Sequence, residues 1–177
     1  MAPSMRNVVP RHPGRRGFTL IEAALVTVVI GVGVVAMLQL LAAGTMSNGY
    51  ATEMTTAVNL ANNVREISLG MSFYDPDTAA NQTPQWSTRE SSVATYDDVL
   101  DLDGQTFSPP LDVRRQPMTG YANWSQKVDV ETVADDSVAS VRPDTTSEPT
   151  ARVTVTILHN GKQVYQTSWL AVAPSPN

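Results

Sequence analysis

The chain has 177 residues, no cysteine and a formal net charge of −5, which leaves room for about one domain and excludes disulfides and thiolate metal sites. The charge is unevenly distributed, because four arginines and no acidic residue precede Phe18, whereas 8 basic and 17 acidic residues follow Gly17. The part after Gly17 therefore carries a formal charge of −9. Such an acidic chain repels phosphate backbones, and we exclude nucleic acid as a partner.

The first predicted element is an apolar run at residues 23–43, in which only Thr27 and Gln39 are polar and none of the 21 residues is charged. As a helix this run would be roughly 32 Å long, enough to cross the hydrocarbon core of a bilayer. The arginines before it predict a cytoplasmic N-terminus, with everything after Gly44 on the other side of the membrane. The run therefore predicts a single-pass membrane protein.

The helical pattern continues beyond the membrane span as one apolar stripe, whose members recur mostly three or four residues apart. They are Met54, Ala57, Val58, Ala61, Val64 and Ile67. We predict one helix from about Phe18 to about Leu69, ended by Gly70, with an apolar first half and an amphipathic second half. Gly44 and Gly49 are expected to loosen its middle.

An irregular region is predicted after the helix. Residues 75–115 are rich in Pro, Asp, Ser and Thr, which is typical of turns and extended loops. Trp86, Tyr96 and Phe107 lie in this region, and we expect them to pack it down locally instead of leaving it a free linker. Residues 134–149 are predicted to form a polar surface loop.

The clearest strand signal is a C-terminal hairpin at residues 152–171. Apolar and polar residues alternate on both sides of Asn160-Gly161, the dipeptide best suited to a type I′ turn. A similar alternation at Val128 and Val130 predicts an earlier strand. The predicted fold is α+β, with the second half of the long N-terminal helix packed against a small C-terminal antiparallel sheet of about three or four strands.

The junction between the basic head and the apolar run has a specific sequence. It reads Gly14-Arg15-Arg16-Gly17-Phe18-Thr19-Leu20-Ile21-Glu22. A carboxylate in a membrane span costs about 2 to 3 kcal/mol near the bilayer centre and less near the interface, so Glu22 indicates a functional partner. The string resembles the processing site of type IV prepilins and pseudopilins, in which a basic leader ends in glycine and Phe-Thr-Leu-Ile-Glu precedes a long apolar run.

The resemblance covers residues 14–43 and implies that a prepilin peptidase cleaves between Gly17 and Phe18 and that Phe18 is then N-methylated. It divides the chain into a leader, 1–17, an N-terminal helix, 18–70, and a globular β-rich domain, 71–177. In the family the glutamate at the position of Glu22 pairs with the N-terminal amine of a neighbouring subunit. Opposite charges attract strongly in a low dielectric, which offsets the desolvation of the carboxylate.

The resemblance further implies a structural, non-enzymatic subunit that is stored in the inner (cytoplasmic) membrane and assembled into an extracytoplasmic filament. The implied partners are the prepilin peptidase, other pilin or pseudopilin subunits and the inner-membrane assembly machinery. Major pilins often carry a proline in the apolar half of the helix, whereas none lies between Phe18 and Gly70. This favours a minor pilus subunit, with a type II secretion pseudopilin as the alternative.

Two interpretations outside the family stay open. An ordinary secretory signal would be cleaved after the apolar region, and residues 41–44 resemble such a site. A plain signal anchor would carry an extracytoplasmic binding or enzymatic domain, with Glu22 merely reaching the membrane interface. Neither interpretation explains the full sequence from Gly17 to Glu22, so we favour the pilin-like interpretation.

The remaining charged feature is an acidic stretch with four aspartates: Asp97, Asp98, Asp101 and Asp103. Several pseudopilins bind calcium through loop carboxylates, which makes these residues candidate ligands. An EF-hand alignment fails, because it places Val99 at the first ligand position and Pro110 at the last. We favour a solvated acidic loop over a calcium site, and no other cofactor is expected.

Other candidate residues have structural explanations. His159 beside the predicted turn is expected to be a surface residue, since no second downstream histidine or cysteine is available to share a metal. Trp86, Trp124 and Trp169 are expected to pack in the core, with an adhesive surface as the alternative. The chain also lacks a P-loop and a Gly-x-Ser-x-Gly motif, so we predict no active site.

Overall fold

A computed structural model describes residues 17–76, 90–143 and 148–174. Within these ranges the chain forms one long helix followed by a sheet, which confirms the predicted α+β fold. The elements are helix α1, Leu20–Leu69, and strands β1, Thr106–Phe107; β2, Trp124–Ala134; β3, Ser137–Val141; β4, Thr150–His159; and β5, Lys162–Val172. Short 3-10 turns occupy Val99–Leu102 and Thr119–Tyr121. Residues 1–16 of the predicted leader lie outside the described ranges.

Helix α1 is 50 residues long and is not interrupted by its glycines. It begins after Thr19, whose backbone oxygen accepts hydrogen bonds from the N–H groups of Glu22 and Ala23 at 3.1 Å each. It is followed by Gly70, as predicted. Its most apolar stretch has a mean hydropathy of 2.5 and no buried residue, so length and composition make α1 a candidate membrane span.

The chain divides into two compact units between Ser47 and Asn48. The first contains the apolar half of α1, and the second contains the rest of α1 with the sheet. In the second unit one stripe of α1 is buried against the sheet and its loops, as the spacing predicts for Ala57, Ala61, Val64 and Ile67, whereas Met54 of the predicted stripe is exposed. Its buried residues are Ala57, Leu60, Ala61, Val64, Ile67 and Ser68.

The sheet has five strands, which is more than the three or four predicted. Its order is β1-β2-β4-β5 with antiparallel neighbours, and β3 pairs with the end of β2. The prediction of a surface loop at 134–149 is wrong for β3, which folds back after a turn at Asp135 and Asp136. All five β3 residues are exposed, so burial imposes no alternation on this strand that the sequence could reveal.

The C-terminal hairpin is confirmed. Asn160 and Gly161 have positive φ of 51° and 74°, as a type I′ turn requires. The inward side chains of β4, Val153, Val155 and Ile157, are completely buried. Tyr165, Thr167 and Trp169 of β5 are half-buried, whereas Gln166, Ser168 and Leu170 are exposed, so the face with Tyr165, Thr167 and Trp169 packs on the core.

The part of the region 75–115 that the structure describes after its gap, residues 90–115, packs down as predicted, since Tyr96, Leu100 and Phe107 are buried in the core. Trp86 lies outside the described residues. Gln126 joins this region to the rest of the second unit although it is 0% exposed. Its side-chain NH₂ donates to the backbone oxygens of Leu60 in α1, at 2.8 Å, and Leu111, at 3.1 Å. Its side-chain oxygen accepts from the Leu111 N–H at 2.7 Å, so every polar atom of this buried amide is used.

Candidate functional site

The predicted processing residues lie together at the start of α1. Gly17 and Phe18 precede the helix, and Glu22 lies in its first turn. All three are exposed, and Phe18 retains 73% of its accessible surface. Among the described residues Glu22 has no ion-pair partner. Within the part of the chain that the structure describes, the peptide bond between Gly17 and Phe18 therefore joins two exposed residues.

Glu22 also has a local role that the sequence interpretation missed. The Thr19 hydroxyl accepts a hydrogen bond from the Glu22 N–H at 3.4 Å, which is half of a Thr-x-x-Glu capping box. A carboxylate in the first turn is favourable because the helix N-terminus carries a partial positive charge. The spacing of Thr19 and Glu22 was the available signal. A test of Glu22 must therefore separate its charge from its effect on the helix start.

The structure brings most of the acidic stretch together and adds one residue to it. One carboxylate oxygen from each of Glu90, Asp97, Asp98 and Asp101 lies within 4.8 Å of the others; we call these four residues the acidic cluster. Asp98 and Asp101 are only 3% and 1% exposed, so the interpretation as a solvated loop is wrong. Asp103 is not among these four residues, and its side chain accepts a hydrogen bond from the Val130 N–H at 2.7 Å.

Asp101 holds the acidic cluster together through backbone groups. One of its oxygens accepts from the Glu90 N–H at 3.0 Å, and the other accepts from those of Asp97 and Asp98 at 3.0 and 3.3 Å. Asp98 in turn accepts from the Leu100 N–H at 2.6 Å. The two aspartates thus form a capping box on the 3-10 turn Val99–Leu102. This local hydrogen bonding explains why charged residues are buried here.

Two members of the acidic cluster, Asp98 and Glu90, retain protons more strongly than isolated carboxyl groups do. Burial, followed by the charge of Asp101, raises the pKa of Asp98 from 3.8 to about 6. The hydrogen bond with Asp101, followed by burial, raises the pKa of Glu90 from 4.5 to about 7. Around neutral pH these two groups therefore change their charge.

The donor chemistry of the acidic cluster suits a hard cation, since calcium prefers carboxylate oxygens. Both oxygens of Asp101 and one of Asp98 already accept backbone hydrogen bonds. One side-chain oxygen of Glu90 is buried and accepts no hydrogen bond from the described residues. Calcium takes six to eight oxygen ligands, so these carboxylates fit calcium in kind but form only part of a coordination shell.

The raised pKa of Asp98 predicts that ionisation of this residue destabilises the fold. Because the folded chain holds this proton more tightly than the unfolded chain, the stabilisation is complete below a pH of about 4 and is lost as pH rises through about 6. Asp98→Asn keeps an oxygen for the Leu100 N–H but cannot ionise. We expect its stability relative to the original chain to increase by roughly 2 kcal/mol between pH 4 and pH 7.

Urea unfolding of the full chain in detergent, followed by tryptophan fluorescence, measures this difference. Asp129→Asn is the matched control, because Asp129 is an exposed residue of β2. The stability of this variant relative to the original chain should not increase between pH 4 and pH 7. If the free energies of unfolding of Asp98→Asn and of the original chain differed by the same amount at every pH, ionisation of Asp98 would not destabilise the fold.

His159 contacts α1 and is only partly a surface residue. Its Nδ1 lies 2.6 Å from a Glu53 carboxylate oxygen, and its ring stacks on Trp124 with centroids 4.2 Å apart. Trp124 and Trp169 pack against the core, and the Trp169 ring N–H donates to the Ser68 hydroxyl at 3.1 Å. Core packing is therefore confirmed for these two tryptophans. The pair of His159 and Glu53 fastens the hairpin to the helix.

Comparison with protein-family models, with curated proteins and with solved structures found no match. The class of protein is therefore defined by the fold and sequence alone. It is an α+β chain with a long apolar N-terminal helix, whose second half packs on an antiparallel sheet. Near its N-terminus this helix is long and apolar enough to cross a membrane once.

Proposed function

We propose that the chain is the precursor of a type IV pilin-like subunit that is processed, stored in the membrane and assembled into a filament through α1. The observation that carries this proposal is the sequence from Gly17 to Glu22 placed directly before an apolar helix. A prepilin peptidase requires access to the scissile peptide, and the exposure of Gly17 and Phe18 supports that access. The absence of proline in α1 favours a minor subunit.

The apolar half of α1 supports a function that involves other molecules. Large aliphatic residues are exposed around the helix, including Leu25, Val29 and Leu40 at 62%, 68% and 74%. A surface of this kind is stable only in lipid or against other apolar helices. Storage in the inner membrane followed by packing against equivalent helices would meet this requirement at both stages.

Cleavage before Phe18 would give Glu22 a chemical role. The new amine lies four residues, about one helical turn, before the Glu22 carboxylate. A subunit entering the filament would place its amine beside the Glu22 carboxylate of the subunit already assembled. Repetition of this head-to-tail contact gives an open helical assembly, because identical contacts that do not close form filaments.

The proposed partners are the prepilin peptidase, other pilin or pseudopilin subunits and the inner-membrane assembly machinery. The proposed role is structural, with no catalysis and no required cofactor. Calcium at the acidic cluster is an additional candidate on the chemistry of its oxygens. Repeating the unfolding experiment with excess calcium and with a chelator would detect calcium binding. Calcium should then raise the free energy of unfolding of the original chain but not that of Asp98→Asn.

Neutralising Glu22 should separate assembly from processing. In Glu22→Gln the amide still suits the third position of the capping box, but it cannot form the proposed ion pair. We expect normal removal of the leader and a loss of at least about 100-fold in filament incorporation, because leaving one partner of a buried pair uncompensated costs about 3 to 5 kcal/mol. Glu22→Ala should lose incorporation to a similar extent.

The measurement is the ratio of processed subunit in sheared filaments to processed subunit in membranes of the native host. Glu66→Ala is the control, because Glu66 is an exposed glutamate of the same helix. Normal incorporation of Glu22→Gln would refute the register role of this residue. An anchored extracytoplasmic binding domain, the alternative outside the family, would be insensitive to both substitutions.

A further inference from the structure

The sheet has two edges, and the chain protects only part of them. On the side of β2 that faces away from β4, β1 and β3 leave a gap. This gap is closed, because the Val128 N–H donates to the backbone oxygen of Gln105 at 2.9 Å. The Val130 N–H likewise donates to the Asp103 carboxylate at 2.7 Å. Covering an edge in this way prevents further strands from pairing with it.

Strand β5 forms the opposite edge of the sheet and is not covered. It pairs with β4 along one side, and among the described residues no other backbone forms a hydrogen bond with residues 162–172. Proteins commonly protect an edge strand with charged residues or proline. Lys162, at the first position, is the only charged residue of β5, and the strand contains no proline. Its 11 residues are therefore free to pair with a further strand.

Strand β3 provides a second open edge on the other side of the sheet. It pairs with β2 along one side, and its five residues are all exposed and uncharged. Within the described ranges its backbone accepts one other hydrogen bond, from the Arg152 guanidinium to the Val138 oxygen at 3.2 Å. Val138 and Val141 retain 48% and 51% of their accessible surface. The chain therefore carries two open, nearly uncharged edges on opposite sides of one sheet.

The two open edges have matching directions and positions. Each strand from β3 through β2 and β4 to β5 is antiparallel to the next, so β3 and β5 run in opposite directions. A copy placed beside another in the same orientation would therefore offer its β3 as an antiparallel partner for β5. Thr132 lies opposite Ala151, which lies opposite Ala171. Because β3 pairs with the end of β2 just after Thr132, it is level with the end of β5.

The side chains at these two edges also match. Leu170 and Val172, at the end of β5, retain 44% and 63% of their accessible surface, and pairing with β3 would bring the exposed valines of β3 beside them. Mutual burial of such apolar side chains favours association. Lys162 lies at the other end of β5 and does not oppose the contact. A two-fold contact between two β5 strands would leave β3 open, whereas a head-to-tail contact pairs both edges.

We propose that β3 of one copy pairs with the end of β5 of the next copy, so that the sheet continues from chain to chain. This contact goes beyond the proposed function, because it requires neither cleavage before Phe18 nor Glu22. Five paired residues form only about five backbone hydrogen bonds. The contact is therefore weak between free chains and forms where copies are concentrated, in one membrane or one filament. It does not close on itself, so it can be repeated along an open assembly.

Cysteine cross-linking of the full chain in cells of the native host tests this contact. The chain has no cysteine, so Val138→Cys in β3 and Leu170→Cys in β5 each provide one reactive site. A short bismaleimide should cross-link these two variants into dimers when they are expressed together. Neither variant should give dimers when expressed alone, because a head-to-tail contact places β3 beside β5 and no strand beside its own copy. Val113→Cys, at an exposed position outside the sheet, replaces Leu170→Cys in the control and should give no dimer.

A charge placed at the β5 edge provides a second test. Adding Val172→Glu to both cysteine variants should lower the yield of dimers at least about tenfold, because a charged edge opposes strand pairing. Val113→Glu adds the same charge outside the sheet and should leave the yield unchanged. Urea unfolding in detergent verifies that the Val172→Glu chain is folded.

Three results would overturn the proposal. Dimers of Leu170→Cys alone would indicate a two-fold contact between β5 strands, and cross-links to a different protein would indicate another partner. An absence of dimers in the mixture, or a yield that Val172→Glu does not change, would show that the two edges do not pair. N-terminal peptide analysis of the same cells reports leader removal separately, so failure of the edge contact is distinguishable from failure of the pilin-like function.

Discussion

Gln126→Leu should lower the free energy of unfolding of the sheet-bearing unit by about 3 kcal/mol. The leucine has a similar volume but leaves the buried Leu111 N–H without its acceptor at 2.7 Å. It also removes the two bonds that the Gln126 amide donates to Leu60 and Leu111. A buried donor without a partner retains its full desolvation cost, so the loss should exceed that of an ordinary hydrogen bond.

Urea unfolding of the full chain in detergent, observed through tryptophan fluorescence, measures the effect of Gln126→Leu. Gln166→Leu is the matched control, because Gln166 is an exposed residue of β5, and it should change stability by less than about 0.5 kcal/mol. If Gln126→Leu were as stable as the control, Gln126 would not be the connection between α1, the Leu111 segment and β2.

Asp101→Asn should destabilise the same unit by about 2 kcal/mol at neutral pH. The asparagine keeps one acceptor oxygen, but its NH₂ group would face at least one of the three backbone N–H groups now bound to Asp101. Removal of the Asp101 charge also lowers the electrostatic repulsion on Asp98 and Glu90, and this gain offsets part of the lost stability. The pKa of Asp98 should fall, because the charge of Asp101 is the second cause of its elevation, after burial.

The two effects of Asp101→Asn are separable by repeating the unfolding experiment across pH. The destabilisation should persist at a pH of about 5, where Asp98 and Glu90 are protonated, whereas the pH dependence due to Asp98 should weaken. Asp129→Asn again serves as an exposed control. An Asp101→Asn variant more stable than the original chain would mean that repulsion, and not hydrogen bonding, dominates this cluster.

The long helix and the hairpin were predictable because each is specified by strong local signals. The stripe from Ala57 to Ile67 repeats at helical spacing, and burial follows that spacing. Asn160-Gly161 specifies a turn in which both residues adopt positive φ. Alternation in β4 predicts which side chains face the core, and Val153 and Val155 are indeed completely buried.

The buried polar residues were harder to predict, although some signals were available. Gln126 has the same strand parity as Val128 and Val130, which places it on the core face of β2. Asp98 and Asp101 have the spacing of a capping box. Composition alone nevertheless favoured a solvated loop, because it does not reveal that three backbone N–H groups converge on one carboxylate.

The role of the proposed processing site cannot be recognised from the fold in the way that these structural features can. Gly17, Phe18 and Glu22 were identified from their order before an apolar run, and the structure adds their exposure and the hydrogen bond from Glu22 to Thr19. The proposed partners of these residues are a peptidase and another subunit. Contacts of that kind form between molecules, so folding of one chain does not reveal them.

Intact-mass and N-terminal peptide analysis of the protein purified from membranes of its native host tests the proposed function most directly. We expect a chain that begins at Phe18 and carries one methyl group on its α-amine. A chain that retains its leader, or that is cut near Gly44, would contradict the pilin-like function.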